Sequence, residues 1–239
     1  MDQQRSTVIL RKQVIITQLS CMKFQELFIT AFALLGFGIT GCQNNRLKDY
    51  DDNVYKTVTI GTQVWMAEDL RTTRFNDGTV IPAVTDYDAW ASLTTPAYSW
   101  YNNDSLSNPG SGLYNWYAIA TNKLCPEGWH VPTNEEWTVL GNYFGDAGAA
   151  GGELKEAGTA HWKDPNEGAT NSSGFTALPG GYRSYNGSFG FQGVSGHWWS
   201  ATQYSDSVVY FWNLRYKSKG LYNHLSNKPN GFCVRCIQD

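Results

Sequence analysis

Charged side chains are scarce in this 239-residue chain: Asp, Glu, Lys and Arg make up 16% of it, and 21 acids against 18 bases leave a net charge of −3. Without a basic excess there is no field to hold a phosphate backbone, so nucleic acid is excluded as a partner. Histidine is scarce too. There are four, His130, His161, His197 and His224, and none stands at ligand spacing from a cysteine, so neither a metal nor another cofactor is expected. The most apolar stretch, residues 27–39, is 13 residues long, short of the roughly 20 a helix needs to cross a bilayer. No linker separates a second core, which leaves one globular domain. What the chain has in quantity is aromatic residues, 15%, and 24 glycines, the composition of compact, turn-rich β structure. Trp, Tyr and Phe dominate core burial, so the aromatic wealth is assigned first to the core.

The most informative stretch is LCPEGWHVPTNEEWTVLGNYF at 124–144. Thr133 followed three residues later by Glu136 is a capping box, which starts a helix. Trp137, Leu140 and Phe144 then fall on one apolar stripe, Asn134, Glu135 and Asn142 on the side facing water, and Gly145 stops it. Before it, residues 54–60 and 63–70 read as a hairpin joined by Gly61-Thr62. Asp77-Gly78 is a turn, 79–112 reads as loop with Pro82, Pro96 and Pro109, and 113–120 is an aromatic segment, strand or helix by pattern. After it, residues 149–157 form a weaker helix ended by Gly158. Asn186-Gly187 centres a hairpin of 182–185 and 188–191, the strongest short hairpin signal. Strands follow at 197–202, 208–216 and 231–237. In the middle one Tyr210, Trp212, Leu214 and Tyr216 share a face, which is expected to be core.

The run at 27–39 ends in Ile39-Thr40-Gly41-Cys42, which resembles the lipobox of bacterial lipoproteins. The resemblance implies that Cys42 is diacylated and becomes the mature N-terminus, and that the membrane is a partner through this anchor. Met22-Lys23 supplies a start and a positive n-region. Residues 1–21 then read as a mis-assigned upstream segment, 22–41 as the signal peptide and 42–53 as a polar tether. Gln43 after the cysteine favours, by analogy with Gram-negative lipoproteins, the outer membrane or cell surface. The sequons at Asn103, Asn171 and Asn186 are set aside in a bacterial chain.

Across 54–239 the chain resembles the Fibrobacter succinogenes major paralogous domain, common in surface and secreted proteins of Bacteroidetes and their relatives. The motifs are GTQVWMAEDL at 61–70, GLYNW at 112–116, CPEGWHVPTNEEW at 125–137, GFTALPGGYR at 174–183, WWSAT at 198–202 and GFCVRC at 231–236. The family is similar in pattern to C-type lectin-like domains and to formylglycine-generating enzymes, whose LPTEAEWE helix start resembles Pro132-Thr133 with Glu136-Trp137. The implied class is α+β and C-type lectin-like: two helices packed on twisted, mostly antiparallel sheets, with long loops. Two departures stand out. Cys233 takes a position where Ser is common, and the cysteine pair often seen around the loop 100–112 is missing.

The resemblance also implies a disulfide, because export places the domain in an oxidising compartment and the family motifs put a cysteine at both ends of the core. Residues three apart on a strand point oppositely, so one of Cys233 and Cys236 can face Cys125. The family pattern favours Cys236. As a C-x-x-C, Cys233 and Cys236 carry little chemistry, since redox pairs sit at a helix N-terminus that lowers a thiol pKa and these lie on an expected strand. Trp212-Asn213 resembles the Trp-Asn-Asp of calcium-dependent sugar sites, but Leu214 replaces the Asp, so no calcium site is expected. Asn102 to Asp104 reads as ordinary turn. No catalytic residue is assigned. The resemblance implies a fold and a location and carries no assigned activity; partly by analogy with the lectin-like fold, the leading expectation is a non-catalytic, lipid-anchored surface module that binds glycan or protein through its loops, with Trp100, Tyr101, Tyr185 and Tyr204 as candidate stacking residues. An oxidase like the formylglycine-generating enzymes, another enzyme, and a structural part of a surface or fimbrial assembly are the alternatives.

Cys42→Ala should leave an uncleaved or soluble species, because the anchor requires that sulfur. Detergent-phase partition checks this, and an unchanged partition would place the anchor elsewhere.

Overall fold

The computed structural model describes residues 46–106 and 110–239, so Cys42 and the segments read as upstream sequence and signal peptide lie outside the described residues. In chain order the elements are β1 (Leu47–Lys48), β2 (Val54–Tyr55), β3 (Thr57–Ile60), β4 (Gln63–Met66), α1 (Tyr87–Ala91), β5 (Tyr98–Ser99), β6 (Leu113–Asn115), α2 (Trp116–Ile119) and β7 (Trp129–His130). They continue as α3 (Asn134–Tyr143), α4 (Ala147–Leu154), β8 (Tyr182–Arg183), β9 (Phe189–Gly190), β10 (Ser195–Gln203), β11 (Val208–Arg215), β12 (Tyr222–Asn227), β13 (Gly231–Phe232) and β14 (Ile237–Gln238). Antiparallel sheet dominates, in the orders β1-β2, β3-β4-β14-β7, β5-β6-β13-β8-β9 and β10-β11-β12.

Local signals are met where they are self-contained. Thr133 Oγ1 accepts from the Glu136 backbone N–H at 3.2 Å while the Glu136 carboxylate accepts from the Thr133 N–H at 2.7 Å. Gly61, at φ 61°, turns the β3–β4 hairpin, a left-handed conformation that glycine adopts without Cβ strain. Elsewhere tertiary contact overrides pattern. Leu47 to Asn53, within the segment read as tether, folds back on the domain: the Asp49 carboxylate accepts from the backbone N–H groups of Asp51 and Asn53, and Asp51 accepts from Thr73. Two helices were expected, and the described residues hold four. Helix α1 lies inside the stretch read as loop, capped by the Asp86 carboxylate on the Ala89 N–H and held by the fully buried Trp90. The ambiguous segment 113–120 is both strand and helix, switching at Asn115, whose side chain caps α2.

Two aromatic clusters make the core, and β11 runs between them. Trp212 and Leu214 join Trp65, Trp137, Leu140, Phe175 and Trp198 on one side. Val209, with Phe211 packed beside it, meets Tyr114, Trp199 and Phe232 on the other. The expected core face is therefore buried at Trp212 and Leu214 and partly buried at Tyr210 and Tyr216, but its opposite is buried too at Val209 and Asn213, leaving Arg215 exposed. Asn134, expected to face water, accepts a hydrogen bond from Trp212 Nε1 at 3.1 Å and ties α3 to the sheet.

Cys125 is bonded to Cys236, with Cα atoms 6.0 Å apart and a sequence separation of 111. Closing a loop of that length contributes about 4–5 kcal/mol through the unfolded chain. Cys236 lies in the cluster of Tyr114 and Phe232, whereas Cys233 is a buried free thiol in the cluster of Trp65 and Trp137. The expected strand 231–237 is interrupted between them, because Arg235 turns inward. Its Nε donates to Asp69 at 2.6 Å, its Nη2 to the Thr176 carbonyl at 2.8 Å and its Nη1 to that of Phe175. Asp69 also accepts from Trp198 Nε1 at 2.8 Å and from the Ser111 hydroxyl at 3.0 Å. Both ions are essentially inaccessible to water.

Asp69→Asn removes the counter-charge but keeps the shape, leaving a buried guanidinium uncompensated at a cost of about 3–5 kcal/mol. Urea denaturation should show a lowered midpoint, and an unchanged midpoint would remove this pair from the account of stability. A second effect depends on pH. His130 lies between Asp239 at 2.6 Å and Glu136 at 2.9 Å. Burial pulls its pKa down, but the two carboxylates outweigh burial and hold it above 6.5. A raised folded-state pKa stabilises fully below the unfolded value of about 6.5 and is lost as pH rises through the folded one. His197 runs the other way, because burial lowers its pKa to about 3 and the unfolded chain takes up its proton as pH falls below about 6.5. The stability difference between wild type and His130→Gln isolates the first effect. It should be largest near pH 5 and shrink towards pH 8, and a pH-independent difference would refute it.

Candidate functional site

The antiparallel register of β10, β11 and β12 sets opposite residues on one face in rows. His197 lies opposite Asn213, which lies opposite Tyr222; Trp199 lies opposite Phe211, which lies opposite His224. The β8–β9 hairpin and the turn after it cover part of this face. Tyr182 meets the His197 ring at 5.0 Å and stacks on Phe191 at 5.5 Å. Phe232 stacks on His197 at 5.4 Å. Arg183 fixes the hairpin: its guanidinium, 4.2 Å over the Trp90 ring, donates to the carbonyls of Val84, Thr85 and Asp86. A platform of this kind holds its rings in place before a ligand arrives.

The cover is incomplete and leaves two grooves that share Tyr182 and His197. The larger has a volume of about 640 Å³ and is lined chiefly by Tyr182, Phe191, His197, Asn213, Arg215, Lys217 and Tyr222. The smaller, about 370 Å³, adds Tyr185, Phe211, Leu225, Asn230 and Phe232. Sites for small ligands are of this size, roughly 300–1,000 Å³, with apolar walls and a few placed polar groups. At the floor, His197 is 8% exposed and Asn213 2%. His197 Nδ1 and Asn213 Oδ1 are buried without a hydrogen-bond partner among the described residues. Burial, outweighing a backbone hydrogen bond to Gly181, lowers the His197 pKa to about 3, so the ring is neutral near pH 7. Arg215 lies 5.5 Å over the Tyr222 ring and 3.3 Å from His224 Nε2. Burial first, and then the Arg215 charge, lower the His224 pKa.

The four aromatic residues singled out from sequence do not converge. Tyr185 lines the smaller groove and is 55% exposed. Tyr204 is exposed at the β10–β11 turn, edge-on to Tyr210, and lines neither groove. Trp100 packs edge-on to Tyr98, and Tyr101 packs against Phe189. Sequence reasoning missed His197 and its pairing with Asn213. The available signal was a polar residue next to a pair of aromatic ones in each strand, His197 before Trp198-Trp199 and Asn213 after Phe211-Trp212. The C-x-x-C cannot act as a dithiol, because Cys236 is spent on Cys125 and the Cys233 thiol has its pKa pushed well up by burial. Among the described residues no three His, Cys, Asp or Glu side chains gather as a metal site.

No curated protein and no solved structure matches the chain. The family model of the Fibrobacter succinogenes major domain matches residues 58–238, a span that contains all six motifs. The chain therefore belongs to the Fibrobacter succinogenes major domain family.

Proposed function

We propose that this protein is a non-catalytic, lipid-anchored module of the outer membrane or cell surface that binds a glycan or a protein through the aromatic face of its three-stranded sheet. One observation carries the reading: a concave face walled by Tyr182, Phe191 and Tyr222 has at its floor two buried polar side chains, His197 and Asn213, each with an atom left without a hydrogen-bond partner among the described residues. No carboxylate lines either groove, and the one histidine on the floor is neutral. A general acid–base pair would need two titratable groups poised near the working pH. The face is thus better suited to holding a ligand than to transforming it. Among the described residues no helix is long and apolar enough to cross a membrane, so in this reading attachment falls to Cys42.

A C-type lectin-like arrangement belongs to the same proposal. It is supported by α3 and α4 packed on each other and on the antiparallel sheet, and by β14 returning between β4 and β7, beside the start of the domain. One observation favours assembly as a second reading: β12 pairs with β11 alone among the described residues, leaving an edge open to strand addition. A glycan array together with pull-down from outer-membrane extract tests both. A defined glycan or a single stoichiometric protein is expected. Self-association into fibres would favour assembly, and retention of nothing on either would overturn the binding module.

A further inference from the structure

We propose that the outer edge of β12 is a docking site for an extended acidic segment of another protein, which adds a fourth strand to the β10-β11-β12 sheet. This rests on the binding-module reading and names the kind of partner. A sheet edge presents a row of backbone N–H and C=O groups, and proteins cover it, shorten it, or set charge or proline in it. The two edges of this sheet are treated differently. Along β10 the Ser195 carbonyl accepts from Gly181, Cys233 bridges the His197 carbonyl and the Trp199 N–H, and Ala201 donates to Pro132. Along β12 the backbone groups of residues 222–226 make no hydrogen bond among the described residues beyond the ladder to β11. Alternate residues there turn their N–H and C=O outward. The strand, YNHLSN, holds no proline and no Lys, Arg, Asp or Glu, and its six residues template a strand of about 20 Å.

Charge selects what fills the edge. From Ser207 to Gln238 the chain has no Asp or Glu but five cations, Arg215, Lys217, Lys219, Lys228 and Arg235. Arg235 is paired with Asp69, and none of the other four makes an ion pair among the described residues. Lys217 and Lys219 precede β12 and Lys228 follows it, so both ends of the edge are positive. Two β12 edges paired antiparallel would set Lys228 of one copy against Lys217 and Lys219 of the other, and that repulsion disfavours a second copy of this chain. An acidic strand is attracted at both ends instead. Both grooves reach β12, the larger at Tyr222 and the smaller at Leu225, Ser226 and Asn227. Tyr222 and Leu225 are exposed and three apart, so each face of the edge offers the added strand one apolar contact. The matching segment is β-branched or aromatic in its middle, acidic at its ends and free of proline.

The test uses the full chain in detergent, probed with an array of random peptides of about eight residues and then by fluorescence polarisation with the tightest binder. Bound peptides should be enriched in Asp and Glu near their ends and in Val, Ile, Thr, Tyr and Phe between them. Replacing the acids of the tightest binder by Lys, or its central residue by Pro, should weaken it about tenfold or more. Lys217→Glu combined with Lys219→Glu should weaken the acidic peptide as much at an unchanged melting temperature, because both side chains are exposed. Amide hydrogen exchange locates the contact: the peptide should slow exchange within residues 222–227. A bound peptide that leaves that exchange unchanged, or an affinity indifferent to charge reversal on either side, overturns the proposal. Concentration-dependent self-association that slows the same amides overturns it in favour of assembly. A glycan retained where no acidic peptide is overturns it and leaves the binding module standing. Retention of nothing on peptide array, glycan array or pull-down overturns both readings.

Discussion

The buried ion pair of Asp69 and Arg235 is the constraint to which the rest of the structure is tied. Two charges enclosed among aromatic rings pay a desolvation penalty that their mutual attraction offsets only when every remaining donor and acceptor is placed. Here they are. Asp69 follows β4, Arg235 lies between β13 and β14, and their other partners come from Ser111, from Trp198 on β10, and from the carbonyls of Phe175 and Thr176. Five separated segments must therefore arrive together. The Phe175 ring, 4.2 Å from the guanidinium, closes it off from water.

The inward turn of Arg235 also orders its neighbours. It sends Cys236 towards Cys125 in one cluster and leaves Cys233 in the other, fully buried. The same split of the core explains the groove. A sheet with apolar residues on both faces needs cover on both, and helix α3 with its Trp137 supplies one side. The other side is covered by a short hairpin held at Arg183, which does not reach across the whole sheet. His197 and Asn213 sit where that cover stops. Two polar atoms kept dry without partners make a place where stability and function pull apart, since an apolar residue of the same shape would suit the fold better.

The charge pattern follows from the same geometry. Most cations of the domain have partners that explain them: Arg235 in the core, Arg183 on the carbonyls ahead of α1, and the buried Lys155, whose ammonium donates to the carbonyls of Glu167, Arg215 and Ser218. Burial lowers the Lys155 pKa to about 8, so those carbonyls hold the 215–218 turn through a charge that weakens at alkaline pH. That turn carries Arg215 and Lys217 to the rim of the larger groove.

Sequence by itself determined the features whose causes are local. The capping box of Thr133 and Glu136, the Gly61-Thr62 hairpin and the Asn186-Gly187 hairpin each depend on a few adjacent residues satisfying one another, and each is where the pattern puts it. Membership of the family was legible for the same reason, in six short motifs. Tertiary structure alone decided the rest. Helix α1 forms in a proline-flanked loop because Trp90 is buried beneath Arg183, and β12, rich in Asn and Ser, is a strand because β11 offers it an edge. Which face of β11 is core has no answer from alternation when both faces are packed. Spacing left Cys233 and Cys236 as equal partners for Cys125 until the family pattern favoured one, and Arg235 turning into the core is what separates them physically. The groove was the least legible of all. Its floor is a cross-strand row, and a row exists only once three consecutive strands have taken their register.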